Sequence, residues 1–249
     1  MINTNLFFKF LKKNGIDFFT GVPDSILKET KQHFSKKKNK NHFITANEGS
    51  AIAMAIGYNL ATKKLPCVYM QNSGLGNAIN PLSSIAHKKV YSIPMLLLIG
   101  WRGSPGIKDE PQHMIKGKIT TKLLKLLNIK YCVLKNYNDL TKLKKIISFS
   151  KKNNEPVACL VPKNVLKNNK LFKNKLIKLS NIKRYEIIEE LLKMVKPKTK
   201  IISTTGFASR ELNQIRKEKN LKKGNDFYMV GGMGHTSMVA LSTAMNTNN

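Results

Sequence analysis

The sequence contains few acidic residues and very few arginines. Only 14 Asp and Glu stand against 44 Lys and Arg in 249 residues, which gives a formal net charge of +30. Nearly all of this charge is lysine, because arginine occurs only at positions 102, 184, 210 and 216. Lysine lacks the planar fork that reads bases, and these lysines are spread over many segments without an aromatic stacking pattern. The composition therefore argues against a nucleic-acid-binding protein.

Cysteines and long hydrophobic runs are also scarce. The three cysteines, Cys67, Cys132 and Cys159, lack the spacing of a disulfide framework or a metal site, which fits a reducing cytoplasm. The longest apolar run, residues 93–100, is too short to span a bilayer. Residues 1–13 lack the apolar centre and the small-residue cleavage site of a signal peptide. We therefore expect a cytoplasmic protein without a membrane segment.

Short β-rich runs alternate with helical patterns along the whole chain. Residues 94–99 form a continuous apolar run, which is typical of a strand covered on both faces and predicts a parallel sheet in an α/β fold. Residues 163–182 are rich in Lys and Asn without apolar periodicity, which predicts an inter-domain linker. Residues 183–249 alternate again and predict the first part of a second α/β domain, because such a domain usually needs ~100 to 150 residues.

Polar motifs follow several of the predicted strands, at the edge where parallel sheets bind their ligands. Asp24 lies in the motif GVPDS and either caps the next helix or faces a ligand. Glu48 opens a helix after the second strand. It either satisfies the helix dipole or is a buried carboxyl that shares a proton with a ligand nitrogen. The glycine-rich turn at residues 71–77 lacks the spacing of a dinucleotide or Walker fingerprint.

A long polar loop, residues 101–113, follows the most apolar strand. Arg102 carries the guanidinium fork that grips a phosphonate, sulfonate or carboxylate, and His113 suits proton transfer near neutral pH. The pattern is equally consistent with a solvated surface loop. In the second unit, Thr205 and Gly206 precede a helix and offer a hydroxyl and backbone amides to an anion. The glycines around position 231 let a backbone carbonyl approach a flat ligand.

Taken in order, these segments resemble the phosphonopyruvate decarboxylase family of thiamine-diphosphate-dependent 2-oxoacid decarboxylases. The resemblance covers nearly the whole chain, and its most specific motifs are GVPDS (21–25), ANEG (46–49), YMQNSGLGN (69–77), LIGWRG (98–103) and DEPQH (109–113). It implies that residues 1–162 form the pyrimidine-binding domain. Residues 163–182 are then a linker, and residues 183–249 are part of the diphosphate-binding domain.

The resemblance also implies a reaction and its catalytic residues. The reaction is decarboxylation of 3-phosphonopyruvate to phosphonoacetaldehyde and carbon dioxide through a thiamine ylide, with thiamine diphosphate and Mg2+ as cofactors. Glu48 corresponds to the glutamate that bonds the aminopyrimidine nitrogen. Asp24 and His113 correspond to proton donors, and Arg102 is the candidate for the anionic tail of the 2-oxoacid, on charge grounds.

Cofactor contacts in the second unit follow from the same resemblance. Gly231 is expected to present its carbonyl to the exocyclic amine of the pyrimidine, and Met233 to prop the cofactor into its bent form. A diphosphate-side role is expected for Thr205, Gly206 and Ser209.

One part of the family pattern is missing from the chain. The family holds magnesium with a Gly-Asp-Gly motif and a later asparagine, and the 249 residues contain no such stretch. We therefore assign no metal ligand here and expect an incomplete copy, whose magnesium ligands lie in a C-terminal segment beyond Asn249. A homodimer is the expected minimum active unit, because relatives build each site from two subunits. The alternatives are a sulfopyruvate decarboxylase subunit and a noncatalytic or regulatory partner of a complete thiamine-diphosphate enzyme.

Overall fold

The structure is a computed structural model, and it describes residues 1–34, 41–168, 182–197, 199–221, 226–231 and 235–246. The chain groups into two compact units, Met1–Phe172 and Lys173–Asn249. Of the helices in the described ranges, none has the length and hydrophobicity needed to cross a bilayer.

The first unit is built on a six-stranded parallel sheet. Its strands are β2 (Phe19–Gly21), β3 (His42–Ile44), β4 (Cys67–Gln71), β5 (Leu96–Trp101), β6 (Lys130–Val133) and β7 (Val157–Pro162). Their spatial order is β3-β2-β4-β5-β7-β6, and every neighbouring pair is parallel. This arrangement confirms the predicted α/β fold class.

Apolar residues on the two faces of this sheet form two separate cores. Along β5, Leu96 and Leu98 belong to one core, whereas Leu97 and Ile99 belong to the other. Successive side chains of a strand point to opposite faces, so a strand buried on both faces must be apolar throughout. All six residues of β5 are buried.

Helices cover both faces of the sheet. They are α1 (Thr4–Lys13), α2 (Lys31–Phe34), α3 (Glu48–Thr62), α4 (Leu75–Pro81), α5 (Pro111–Leu126) and α6 (Leu140–Asn153). α1 and α6 bury Phe7 and Leu143 in the first core, and α3, α4 and α5 bury residues such as Ile52 and Leu75 in the second.

The strand order places a crevice at the carboxyl edge of the sheet. The chain leaves β2 towards β3 on one side and then crosses to β4 on the other side of β2. The connections after β2 and β4 therefore diverge, and this is where open parallel sheets bind their ligands.

The first residues of the predicted linker over 163–182 pack with the first unit. Strand β1 (Ile2–Asn3) pairs in parallel with β8 (Leu166–Lys167), and Val165 and Leu166 are buried in the first core. Lysines and asparagines flank these two apolar residues, so the local composition does not indicate a strand. The remainder of the predicted linker, residues 169–181, lies outside the described residues.

The second unit contains the predicted alternation of helices and strands on a smaller scale. It consists of α7 (Arg184–Met194), β9 (Ile202–Ser203), α8 (Phe207–Glu218), β10 (Phe227–Tyr228) and α9 (Thr236–Met245). β9 and β10 are parallel, and the core cluster found in the described part of this unit has three fully buried residues, Leu192, Leu212 and Ile215. Arg216 and Asp226 form a buried ion pair beside it, with side chains 6% and 2% exposed.

Candidate active site

Glu48 is the first residue of α3 and follows strand β3. Asn47 caps this helix, because its Oδ1 accepts a hydrogen bond from the backbone N–H of Ser50 at 2.9 Å. Glu48 is only 6% exposed, and its Oε2 accepts a hydrogen bond from Nδ2 of Asn77 at 2.8 Å. The Glu48 carboxyl is therefore buried at the start of α3.

The Glu48 side chain lies directly over Gly74, in the turn that follows β4. A Cβ atom built at position 74 would lie 2.0 Å from Oε1 and 2.2 Å from Cδ of Glu48. Real Cβ atoms do not approach other atoms so closely, so any larger residue at position 74 would displace the carboxyl group. The absence of a side chain at Gly74 therefore leaves the space that the Glu48 carboxyl occupies.

Asp24 lies beyond the carboxyl end of β2 and is 9% exposed. Its Oδ2 accepts a hydrogen bond from the backbone N–H of Leu27 at 3.0 Å, and its Oδ1 accepts one from Nε2 of Gln71 at 2.6 Å. A Cβ atom on Gly100 would lie 1.9 Å from Oδ2. Asp24 therefore acts as a local cap and also lies against the ends of β4 and β5.

Gln71 was not assigned to the site from the sequence, although it lies in a motif that carries the resemblance. It is the last residue of β4, and its Oε1 also accepts a hydrogen bond from the hydroxyl of Ser73 at 2.8 Å. The signal available in the sequence was a polar residue at the end of an otherwise apolar strand.

The backbone at Arg102, just beyond β5, is fixed by a buried side-chain amide. Oδ1 of Asn72 accepts a hydrogen bond from the Arg102 N–H at 3.0 Å, and Nδ2 of Asn72 donates to the Arg102 carbonyl at 3.0 Å. The same amide donates to the hydroxyl of Thr120 in α5. Asn72 thus joins the ends of β4 and β5 to α5.

The Arg102 side chain forms a two-point ion pair with Asp109 within the polar loop. Nε of Arg102 donates to Oδ2 of Asp109 at 2.9 Å, and Nη2 donates to Oδ1. This guanidinium holds the pKa of the Asp109 carboxyl well below its usual range. Because Asp109 occupies one edge of the guanidinium, Arg102 does not lie open to an anion in the way its charge alone predicts.

His113 lies in the first turn of α5, at the end of the same loop. Its Nδ1 is buried and has no hydrogen-bond partner among the described residues. Burial lowers the pKa of His113, and the positive charge of Arg102 lowers it further. The imidazole is therefore neutral at neutral pH.

The structure thus brings several predicted residues of the first unit to one edge of the sheet. Asp24 lies within electrostatic range of Arg102, and Arg102 lies within range of His113. Glu48 belongs to the same edge but forms its side-chain hydrogen bond with Asn77.

In the second unit, two of the predicted turns are neighbours. The hydroxyl of Thr205 donates to the carbonyl of Val230 at 3.0 Å, which places the turn after β9 beside the residue before Gly231. Gly206 has a φ of 98°, which favours glycine. Ser209 is buried and donates to the carbonyl of Thr204 at 2.6 Å.

The remaining cofactor prediction in this unit, Met233, lies outside the described residues. Across the described ranges, no group of three His, Cys, Asp or Glu side chains forms a metal site.

Comparison with known proteins defines the class. Residues 2–124 match the family described as "Thiamine pyrophosphate enzyme, N-terminal TPP binding domain". This stretch includes β2 to β5 and all the predicted site residues of the first unit. The chain belongs to the thiamine-diphosphate-dependent decarboxylase family.

Similar proteins within this family are decarboxylases of two kinds. The chain is 30% identical to a phosphonopyruvate decarboxylase of Streptomyces hygroscopicus, with 94% of this chain and 60% of that protein covered. It is 32% identical to a phosphonopyruvate decarboxylase of Streptomyces viridochromogenes, with 94% and 61% covered. It is 36% identical to sulfopyruvate decarboxylase subunit alpha of Methanococcus maripaludis, with 62% of this chain and 90% of that subunit covered. The chain thus spans about three fifths of the phosphonopyruvate decarboxylases and most of the sulfopyruvate decarboxylase subunit.

Proposed function

We propose that this chain contributes to the decarboxylation of 3-phosphonopyruvate to phosphonoacetaldehyde and carbon dioxide, with thiamine diphosphate as cofactor. The observation that carries the proposal is the buried Glu48 carboxyl, held by Asn77 at the edge of the sheet that also bears Asp24 and His113. A buried carboxyl without a cationic partner needs a compensating group, and a ligand nitrogen is such a group.

The residues around Glu48 fit the pyrimidine side of thiamine diphosphate. Oε2 is bonded to Asn77, whereas Oε1 lies over Gly74 without a hydrogen-bond partner among the described residues. That oxygen is therefore left to hold or release a proton at a heterocycle nitrogen. When bound, the cofactor supplies a thiazolium that accepts the electrons freed by loss of carbon dioxide.

Asp24 and His113 are proposed to move protons at the reacting carbon. Gln71 fixes the Asp24 carboxylate at 2.6 Å, so its orientation does not depend on the substrate. Burial and the charge of Arg102 lower the pKa of His113, so its protonated form gives up a proton readily, which suits the proposed role as a proton donor.

Arg102 is proposed to bind the anionic tail of the 2-oxoacid through the part of its guanidinium that Asp109 leaves open. Nε and Nη2 make the contacts to Asp109, and Nη1 forms no hydrogen bond with the described residues. A phosphonate substrate is favoured over a sulfonate one because the phosphonopyruvate decarboxylases align with more of this chain. The phosphonopyruvate decarboxylases align with 94% of this chain, whereas the Methanococcus sulfopyruvate subunit aligns with 62%.

The second candidate is a sulfopyruvate decarboxylase subunit. It is supported by the 90% coverage of the alpha subunit of Methanococcus maripaludis at 36% identity. A third reading, a noncatalytic or regulatory partner of a complete thiamine-diphosphate enzyme, follows if the chain binds such an enzyme but does not turn over either substrate.

The exposed face of α3 is proposed as the contact between two copies of the chain. Met54 and Leu60 are exposed on this helix, and a Cβ at Gly57 would meet no atom within 4 Å. Solvent-exposed apolar residues beside a small residue suit close helix packing across a homodimer. Mg2+ is proposed to accompany the diphosphate, with Thr205, Gly206 and Ser209 on the diphosphate side of the site. Gly231 is proposed to present its carbonyl to the exocyclic amine of the pyrimidine, and Met233 to prop the cofactor into its bent form.

The test is release of carbon dioxide from 3-phosphonopyruvate and from sulfopyruvate by the purified chain with thiamine diphosphate and Mg2+. Because the chain contains no Gly-Asp-Gly motif, we expect turnover of phosphonopyruvate in a protein that also supplies the magnesium ligands, and at least a ~100-fold loss there in Glu48→Gln. Glu155→Gln is the matched control, because Glu155 precedes β7 at the opposite edge of the sheet. Preference for sulfopyruvate would favour the second candidate. Activity that appears only as stimulation of a complete phosphonopyruvate decarboxylase would favour the partner role.

A further inference from the structure

Asp109 is the best-satisfied carboxylate in the loop that contains Arg102 and His113. Besides the two bonds from Arg102, its Oδ2 accepts the backbone N–H of Gly103 at 3.1 Å, and its Oδ1 accepts the N–H of Glu110 at 2.9 Å. Four donors thus converge on one side chain that is 11% exposed. Asp109 therefore joins the beginning and the end of the loop to the guanidinium.

This arrangement fixes the orientation of Arg102. A carboxylate that meets Nε and Nη2 together holds the plane of the guanidinium, since two parallel hydrogen bonds leave no free rotation. The backbone of Arg102 is independently fixed by Asn72. The open Nη1 amino group is consequently held in one direction.

Charge alone does not explain an anion site at Arg102. The acids that act on its guanidinium are Asp109, Asp24 and Glu110, so negative charge already lies near the group that would meet the anion. An anion binds there only if the direction of the remaining N–H groups compensates for this field. The orientation of the Arg102 guanidinium, which Asp109 fixes, therefore determines whether an anion can bind there.

We propose that Asp109 is a positioning residue that presents the Nη1 edge of Arg102 to the anionic tail of the 2-oxoacid. This inference rests on the tail-binding role of Arg102 in the proposed function. It predicts that geometry rather than net charge at position 109 determines the affinity for the tail.

The experiment measures binding of 3-phosphonopropionate, a non-reacting phosphonate, to the full chain through the fluorescence of its single tryptophan, Trp101. Asp109→Asn should weaken binding about tenfold although it removes a negative charge, because an amide cannot accept both N–H groups of Arg102. Asp109→Glu keeps the charge but moves the carboxylate, and it should weaken binding to a similar degree. Glu110→Gln removes the same charge one residue away and should not weaken it. Tighter or unchanged binding in Asp109→Asn, or full affinity in Asp109→Glu, would overturn the proposal.

A second measurement separates this proposal from the proposed function. Hydrogen exchange at the Arg102 Nε–H, followed by nitrogen-15 NMR, should be slow in the wild type and in Glu110→Gln and fast in Asp109→Asn. Slow exchange in Asp109→Asn would show that Asp109 does not hold Arg102, and the inference would fail. If Arg102→Leu binds 3-phosphonopropionate as well as the wild type, the tail-binding role of Arg102 fails instead. An Asp109→Asn variant that does not fold leaves Asp109→Glu to decide.

Discussion

Different interactions stabilise the interior of each of the two units. In the first unit, whole strands such as β5 are buried on both faces, and two apolar cores flank the sheet. In the described part of the second unit, the core cluster has three fully buried apolar residues, beside the buried pair of Arg216 and Asp226. Rigid strands hold Asp24 and the ends of β4 and β5 in contact, whereas the turns of the second unit rely on a few polar bonds. A sheet that is buried on both faces thus fixes the positions of the polar side chains at the ends of its strands.

The largest expected effect falls on the ion pair of the second unit. Asp226→Ala leaves the Arg216 guanidinium buried without its carboxylate, which costs about 3 to 5 kcal/mol. We expect this unit to lose its helices, measured as a fall in the far-ultraviolet circular dichroism. The urea transition of Trp101, which lies in the first unit, should stay in place. Glu190→Ala, which breaks an exposed pair with Lys193, is the control and should leave the stability nearly unchanged. A parallel shift of the Trp101 transition would mean that the two units unfold together.

The counterpart in the first unit is an apolar deletion. Leu97→Ala in the middle of β5 should lower the free energy of unfolding by about 3 kcal/mol, because the fully buried side chain leaves a cavity. The midpoint of the urea transition followed by Trp101 fluorescence measures this loss. Leu126→Ala is the control, since Leu126 is 77% exposed at the end of α5. Equal losses in the two variants would contradict the assignment of the core.

The third prediction tests the contact between Gly74 and Glu48. Gly74→Ala should displace the Glu48 carboxyl and destabilise the first unit by about 1 to 3 kcal/mol, because the added methyl group overlaps Oε1. Gly76→Ala, two residues on and with no atom within 4 Å, should be neutral or more stable by about 0.5 kcal/mol. The measurement is the difference between the urea midpoints of Gly74→Ala and Gly76→Ala. Equal midpoints would show that position 74 is not reserved for Glu48.

The smallest expected effect is the pH dependence due to His113. Burial lowers its pKa in the folded chain below the ordinary value of 6.5, so the unfolded chain takes up the proton first as the pH falls. His113 therefore destabilises the folded state progressively below about pH 6.5, by less than about 1 kcal/mol for a half-exposed ring. His113→Gln should reduce the difference between the urea midpoints measured at pH 7 and pH 5. An unchanged difference would exclude His113, and His42, whose pKa is also lowered by burial, would be the next group to replace.

Much of the fold was predictable because the strands differ so strongly from their surroundings. The apolar run at residues 94–99 predicted β5 (Leu96–Trp101) to within two residues at each end, since an apolar run bounded by polar motifs is a clear strand signal. β8 was missed because two buried apolar residues within a lysine-rich stretch carry almost no periodicity.

The sequence motifs single out candidate residues of the site but not the contacts between them. The motifs pointed to Asp24, Glu48, Arg102 and His113, and the structure places all four near the carboxyl edge of the sheet. The amides of Gln71, Asn72 and Asn77 were not assigned, because their importance lies in hydrogen bonds between segments distant in the chain. Likewise, no spacing rule predicts that Asp109 pairs with a residue seven positions earlier through a loop.

The short ladder between β1 and β8 also has a mechanical consequence. The two strands run parallel, so a pull on the chain before Ile2 and after Lys167 acts in opposite directions along the ladder. Such a load shears all of its hydrogen bonds at once instead of opening them one by one. The hydrogen bonds between β1 and β8 therefore resist a pulling force on the two ends of the first unit before that force reaches β2 and β4.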